Sequence, residues 1–246
     1  MEEVVVLIVG AGPSGLAVSN CLSHLSIRNI VLKREDYCVS LWRKRSYDRL
    51  NLHLAREFCS LPYMPHVSSS STFMSRKSFL EYIDSYISRF GIEPRYCRFV
   101  EEGSYLENER KWRVEARNTS TQEKEVYMVQ FLVVATGENG QGFIPELPGL
   151  DGFEGKIIHS SEYKSGKDYE NKVVLVVGCG DSGMEISYDL SNFGAHTSIV
   201  IRNPLHELNK EMVYVGMLLS NVPMTVADPV MTFLRKLWYG DLTSED

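Results

Sequence analysis

The stretch LIVGAGPSGL, Leu7 to Leu16, restricts what this chain can become, and it recurs in form as LVVGCGDSGM, Leu175 to Met184. Each copy sets GxGxxG after a β-branched apolar run and before a segment able to form a helix. In such a strand-turn-helix unit the first glycine permits the tight turn, the second lets the backbone approach a pyrophosphate, and the third lets helix and strand pack closely. Gly10, Gly12 and Gly15 take these places in the first copy; Gly178, Gly180 and Gly183 take them in the second. The helix N-terminus then offers unpaired N–H groups and a partial positive charge to phosphates. A lone GxGxxG also serves ordinary turns, but two in this context predict two dinucleotide sites. Two sites in one chain imply electron transfer between two cofactors, most simply a flavin dinucleotide and a nicotinamide dinucleotide.

The rest of the pattern extends both units. Strand Val4 to Val9, a helix from Ser14 to about Leu25, and strand Asn29 to Lys33 read as a βαβ beginning, and Val173 to Val177, Ser182 to Phe193 and Thr197 to Ile201 repeat it. Between them, Tyr37 to Pro65 mixes basic and aromatic residues without a period, as loops covering a ligand do. Phe79, Tyr82, Ile83, Tyr86 and Phe90 share one helix face and read as core contacts. Alternating segments from Phe99 to Gln130 predict a small antiparallel sheet, and FLVVATG, Phe131 to Gly137, a return to a buried parallel strand. Glycine and proline crowd Gly140 to Gly155, which divides the chain into domains 1–150 and 151–246. Helical pieces are expected at Glu207 to Ser220 and Asp228 to Tyr239. The fold class is therefore α/β, with two Rossmann-like dinucleotide-binding domains and a small antiparallel sheet in the first.

Composition narrows the partners. Lys and Arg total 26 against 32 for Asp and Glu, and the net charge of −6 gives no general attraction to nucleic acid or anionic membranes. The apolar run after Glu2 and Glu3 lacks the basic start of a secretory signal, and no run approaches the roughly 20 residues of a transmembrane helix. Five scattered cysteines with neither CxxC nor metal-ligand spacing favour free thiols in a reducing compartment, the cytoplasm. They also speak against a flavin disulfide reductase, which needs a redox cysteine pair.

A carboxylate at the end of the second strand accepts from a ribose hydroxyl, while a basic residue there suits a 2′-phosphate. The second copy ends IVIRN, with Arg202 and no nearby acid, which selects NADP; the first ends IVLKRED, where Lys33 and Arg34 precede Glu35 and Asp36. The first is ambiguous on this ground, because Lys33 and Arg34 fit a solvated strand end as well as a phosphate contact.

In FEGKIIHSSEY, Phe153, Gly155, His159 and Tyr163 match FxGxxxHxxxY, the identifying motif of class B flavin-dependent monooxygenases. Together with SLW, YDRLNLHL, FCSLP, VVGCGDSGMEISYDL and SIVIRNP, it makes nearly the whole chain resemble the plant YUCCA-type flavin monooxygenases. The resemblance implies FAD in the first site, NADPH in the second, and O2-dependent oxidative decarboxylation of the 2-oxo acid indole-3-pyruvate to indole-3-acetate, a step of auxin synthesis. It implies that His159 and Tyr163 help seat NADPH, and it puts His53 where relatives hold a polar group near the flavin, a candidate catalytic residue that reads equally well as a surface-loop histidine. Trp42 reads as a flavin-site wall or as core. Asp181 and Ser182 read as helix caps.

Two departures stand out. Relatives carry Glu where this chain has Lys33, so Glu35 is the remaining candidate ribose acceptor. Family members are also longer, with a later strand and helix that complete the flavin domain. The expectation that follows is a chain that does not turn over by itself and associates through open sheet edges, with a second copy among its partners. The alternative reading is a catalytically inactive remnant that binds a nucleotide or a partner.

Overall fold

A computed structural model describes residues 1–202, 210–219 and 222–239. The first unit runs β1 (Glu2–Val9), α1 (Pro13–His24), β2 (Asn29–Leu32), the short α2 (Ser40–Lys44), α3 (Arg76–Phe90), β3 (Arg98–Leu106), β4 (Lys111–Asn118) and β5 (Lys124–Val134). The second runs β6 (Val173–Val177), α4 (Asp181–Asn192) and β7 (His196–Val200), followed by α5 (Lys210–Leu219) and α6 (Met224–Tyr239). The expected helical residues 207–209 and 220 lie outside the described residues. α6 begins earlier than Asp228 and carries Pro229 inside it.

Local chemistry explains the elements. The valine-rich β1 is stiff at χ1 and suits a buried strand. In α3 the Ser75 side chain accepts from the Ser78 N–H at one end, and Gly91 closes the other in the left-handed conformation, φ 56°. As the spacing predicts, Phe79, Tyr82, Ile83 and Tyr86 are buried. They meet Val6, Ile8 and Leu16 in the main core.

Five strands form one mixed sheet in the order β2-β1-β5-β4-β3. β1 pairs parallel with both β2 and β5, while β5, β4 and β3 pair antiparallel. The expected small antiparallel sheet is therefore not separate. β5 runs unbroken from Lys124 to Val134, pairing with β4 through Lys124–Val129 and with β1 through Tyr127–Val134. One strand thus does what the sequence pattern assigned to two, because nothing between Gln130 and Phe131 breaks an extended chain. The Phe131–Gly137 stretch is parallel to β1 as expected but only partly buried: Leu132, Val133 and Ala135 pack against the cores, whereas Phe131 is 61% and Val134 71% exposed.

β6 and β7 pair in a parallel sheet of two strands among the described residues. α4 covers one face through Ile186 and Leu190, which pack with Val174, Val176, Tyr163 and Tyr47. The other face leaves Val173, Leu175 and Val177 exposed. Among the described residues no helix is long and apolar enough to cross a membrane.

Candidate functional site

The first glycine turn is built by steric exclusion. Gly10 has φ +117°, and a Cβ there would lie 2.2 Å from the Ala135 carbonyl oxygen at the end of β5. A Cβ on Gly15 would lie 2.0 Å from the Gly10 carbonyl oxygen. Only glycine lets β1, α1 and β5 approach this closely. Gly12, the N-cap of α1, has nothing within 4 Å of its missing Cβ and no side-chain cap, so the helix N-terminus faces open space. That cradle fits a pyrophosphate.

Beside the turn lies a cleft of about 330 Å³ lined by Gly10, Lys33, Arg34, Arg98, Phe99, Glu138 and Gln141, among others. Lys33 Nζ donates to Ser40 Oγ at 2.7 Å and stands 3.6 Å from Glu35 Oε2. Glu35 Oε1 is held by Arg45 at 3.2 Å and Arg34 at 3.8 Å. Arg45 also donates to the Gly140 carbonyl, tying this cage to the loop after β5. Glu35 Oε2 is buried without a hydrogen-bond partner. Burial alone would raise the Glu35 carboxyl, but Ser40 and the cations Lys33, Arg45 and Arg34 hold it below its usual range. Burial pulls the Lys33 ammonium down, against the opposing pull of Glu35.

The second turn repeats the local geometry. Gly178 has φ +107°, and a Cβ on Gly183 would lie 2.2 Å from the Gly178 carbonyl oxygen. Gly180 is the N-cap of α4 with open space before it, and Asp181 occupies the first helical turn. Arg202 is exposed just past β7.

The two halves meet through the motif that precedes the second turn. Tyr163 is buried, and its hydroxyl donates to Asp189 Oδ2 of α4 at 2.6 Å, where the Gly166 N–H also donates at 2.8 Å. Burial and the Asp189 carboxylate both push the Tyr163 hydroxyl pKa well up, so it stays a protonated donor. Arg49 of the first unit lies 3.7 Å from Asp189 Oδ1 and 3.6 Å from Glu185 Oε2, with its guanidinium over the Tyr188 ring. The Asp48 N–H donates to the Lys164 carbonyl, and Lys164 Nζ donates to the Ser46 carbonyl at 3.2 Å. His159 caps a short helical turn: its Nδ1 contacts Ser161, and the Glu162 carboxylate accepts from the His159 N–H. Its ring lies against Gly142 of the linker.

Of the residues singled out from the sequence, Gly10, Lys33 and Arg34 are thus brought to the first cleft, with Glu35 beside Lys33. Trp42 is absent from its lining; it packs on Phe79 at 4.7 Å beside the main core, the second of its two sequence readings. His53 is exposed and does not line the cleft either. Arg45, Arg49 and Asp189 escaped the sequence reading. Asp189 had left a signal, a carboxylate on the same helix face as Ile186 and Leu190.

Residues 7–217 match the model of the family described as pyridine nucleotide-disulphide oxidoreductase. The chain is 57% identical over 98% of its length to a probable indole-3-pyruvate monooxygenase, YUCCA10, of Arabidopsis thaliana, and 42% identical over 97% to the probable YUCCA9 of the same plant. It spans 63% and 58% of those relatives. In fold it is similar to a flavin-containing monooxygenase from Stenotrophomonas maltophilia, with TM-score 0.75 and 24% identity over 86% of this chain and 61% of that one. It is also similar to a bacillithiol disulfide reductase from Bacillus cereus, with TM-score 0.74 and 20% identity over 90% and 66%. All five cysteines are free. The chain belongs to the family of that model, and over nearly its whole length it is similar to the YUCCA-type flavin monooxygenases.

Proposed function

We propose that these residues form the nucleotide-binding body of an NADPH- and FAD-dependent monooxygenase that oxidatively decarboxylates a 2-oxo acid of the indole-3-pyruvate class, with O2 as co-substrate, in the cytoplasmic synthesis of auxin. The observation that carries this reading is 57% identity over 98% of the chain to a probable indole-3-pyruvate monooxygenase. Residues 1–150 take the FAD part and residues 151–246 the NADPH part.

When bound, FAD would supply the redox chemistry that links NADPH to O2. The chain supplies binding and orientation. The Gly10–Gly15 turn and the α1 N-terminus receive the FAD pyrophosphate, and the cleft beside Lys33 receives its adenosine end. The Gly178–Gly183 turn and the α4 N-terminus receive the NADPH pyrophosphate, with Arg202 placed for the 2′-phosphate. Tyr163 and His159 act as positioning residues: Tyr163 holds α4 through Asp189, and His159 shapes the turn that leads there. Arg49 and Lys164 bind the two halves together, which holds the two turns in one arrangement.

The named relatives lend no support to the rival, catalytically silent reading. Purified chain is expected to retain FAD and to bleach its absorbance on addition of NADPH, and formation of indole-3-acetate from indole-3-pyruvate above a no-enzyme control would overturn the expectation that the chain does not turn over by itself. Retention of FAD without NADPH-dependent bleaching of its absorbance would favour the silent reading, and the same assay decides whether these 246 residues suffice.

A further inference from the structure

The residue just past the second strand reads the ribose of a dinucleotide. A carboxylate there accepts from the hydroxyls and repels a 2′-phosphate by simple charge, whereas a cation accommodates one. In the first unit that residue is Lys33, and its side chain is only 14% exposed, so it is part of the wall of the cleft and not a solvated strand end.

An ammonium has three N–H donors. One of Lys33 reaches Ser40 Oγ, a second faces Glu35 Oε2 at 3.6 Å, and the third has no partner among the described residues. The charges around the strand end are unequal. Lys33, Arg34 and Arg45 surround the single carboxylate of Glu35. Arg98 is neutralised by Glu125 at 3.0 Å, and Lys44 by Asp36 at 3.8 Å. Glu138 is the acidic residue in the lining itself. Beside these charges Phe99, 42% exposed, offers an aromatic face of the kind on which a base stacks.

We infer that Lys33 makes the first site accept 2′-phosphorylated adenosine nucleotides, so that they compete there with FAD. The inference rests on the FAD reading of that site and adds a regulatory consequence: the nicotinamide cofactor's own adenosine end, at high concentration, drives FAD off.

The probes are 2′,5′-ADP and 5′-ADP, titrated against FAD-loaded protein while the fluorescence of released flavin is followed. One charge-assisted contact predicts release at about tenfold lower concentration of 2′,5′-ADP than of 5′-ADP. Lys33→Met abolishes the preference, with thermal unfolding by circular dichroism showing that the variant is folded; Arg202→Ala keeps it. Equal potency of the two probes overturns the inference, as does a preference that survives Lys33→Met or disappears in Arg202→Ala. Calorimetric titration of the Arg202→Ala protein with both probes needs no flavin. If it shows the preference while FAD is not retained, the role of Lys33 in taking the 2′-phosphate stands, and the FAD assignment falls together with the competition that rests on it.

Discussion

At the first glycine turn a Cβ on Gly10 would lie 2.2 Å from the Ala135 carbonyl oxygen; at the second, a Cβ on Gly178 would meet nothing within 4 Å. Everything closer to the turn is alike: φ values of +117° and +107°, and a third glycine against the first glycine's carbonyl in both. The difference is one strand. β1 lies between β2 and β5, whereas β6 pairs with β7 alone among the described residues. Leu7 is accordingly fully buried, and Leu175, at the corresponding place in the second motif, is 62% exposed. The motif specifies a turn; its neighbours decide what each glycine is needed for.

The largest test of that contrast is alanine at the first glycines. Gly10→Ala meets backbone strain of about 1–3 kcal/mol and a clash of about 1–3 kcal/mol more, while Gly178→Ala meets the strain alone. Denaturant unfolding should rank them in that order, with Gly15→Ala and Gly183→Ala alike; equal losses at Gly10 and Gly178 would break the comparison. Next come the paired leucines. Leu7→Ala should cost about 2–5 kcal/mol and Leu175→Ala within about 0.5 kcal/mol. Size-exclusion chromatography should show self-association that Leu175→Ala weakens, since that face is exposed and apolar.

The cofactor ends differ as well. Arg202 is exposed and the strand end IVIRN carries no acid, so Arg202→Ala should weaken NADPH binding by about tenfold or more, on the order of 1.5–3 kcal/mol, and barely alter NADH binding. Equal losses for both nucleotides would remove Arg202 from the 2′-phosphate. The smallest effect is at Glu35. Its folded-state pKa is lowered, so its contribution to stability is present above the ordinary carboxyl value of 4.5 and is lost as pH falls through the lower folded value. Glu35→Gln should flatten that acid limb of the pH–stability curve; an unchanged limb would show that the cage of cations does not stabilise the carboxylate.

Much of this was legible in the chain. Both glycine turns, the strands and helices that flank them, the buried face of α3 and the family motif are short-range patterns, set by sterics and side-chain spacing within a few residues. Fusion of the antiparallel strands with the parallel sheet was not, because β5 takes different partners along its length and no residue marks the change. Nor was the placement of Trp42 on Phe79, since an aromatic residue in an aperiodic segment fits a pocket wall and a core equally well.

The sequence by itself determined that two dinucleotide turns form and that a cation, Lys33, follows β2. Only the tertiary structure decided what these residues meet. It brought Ala135 against Gly10, enclosed Glu35 between Lys33 and Arg45, and joined Tyr163 to Asp189 under Arg49. The physical reason is range. A turn is set by the φ and ψ of adjacent residues, whereas a buried charge or a close backbone approach depends on groups up to more than a hundred positions away, which only the packed sheet and helices bring together.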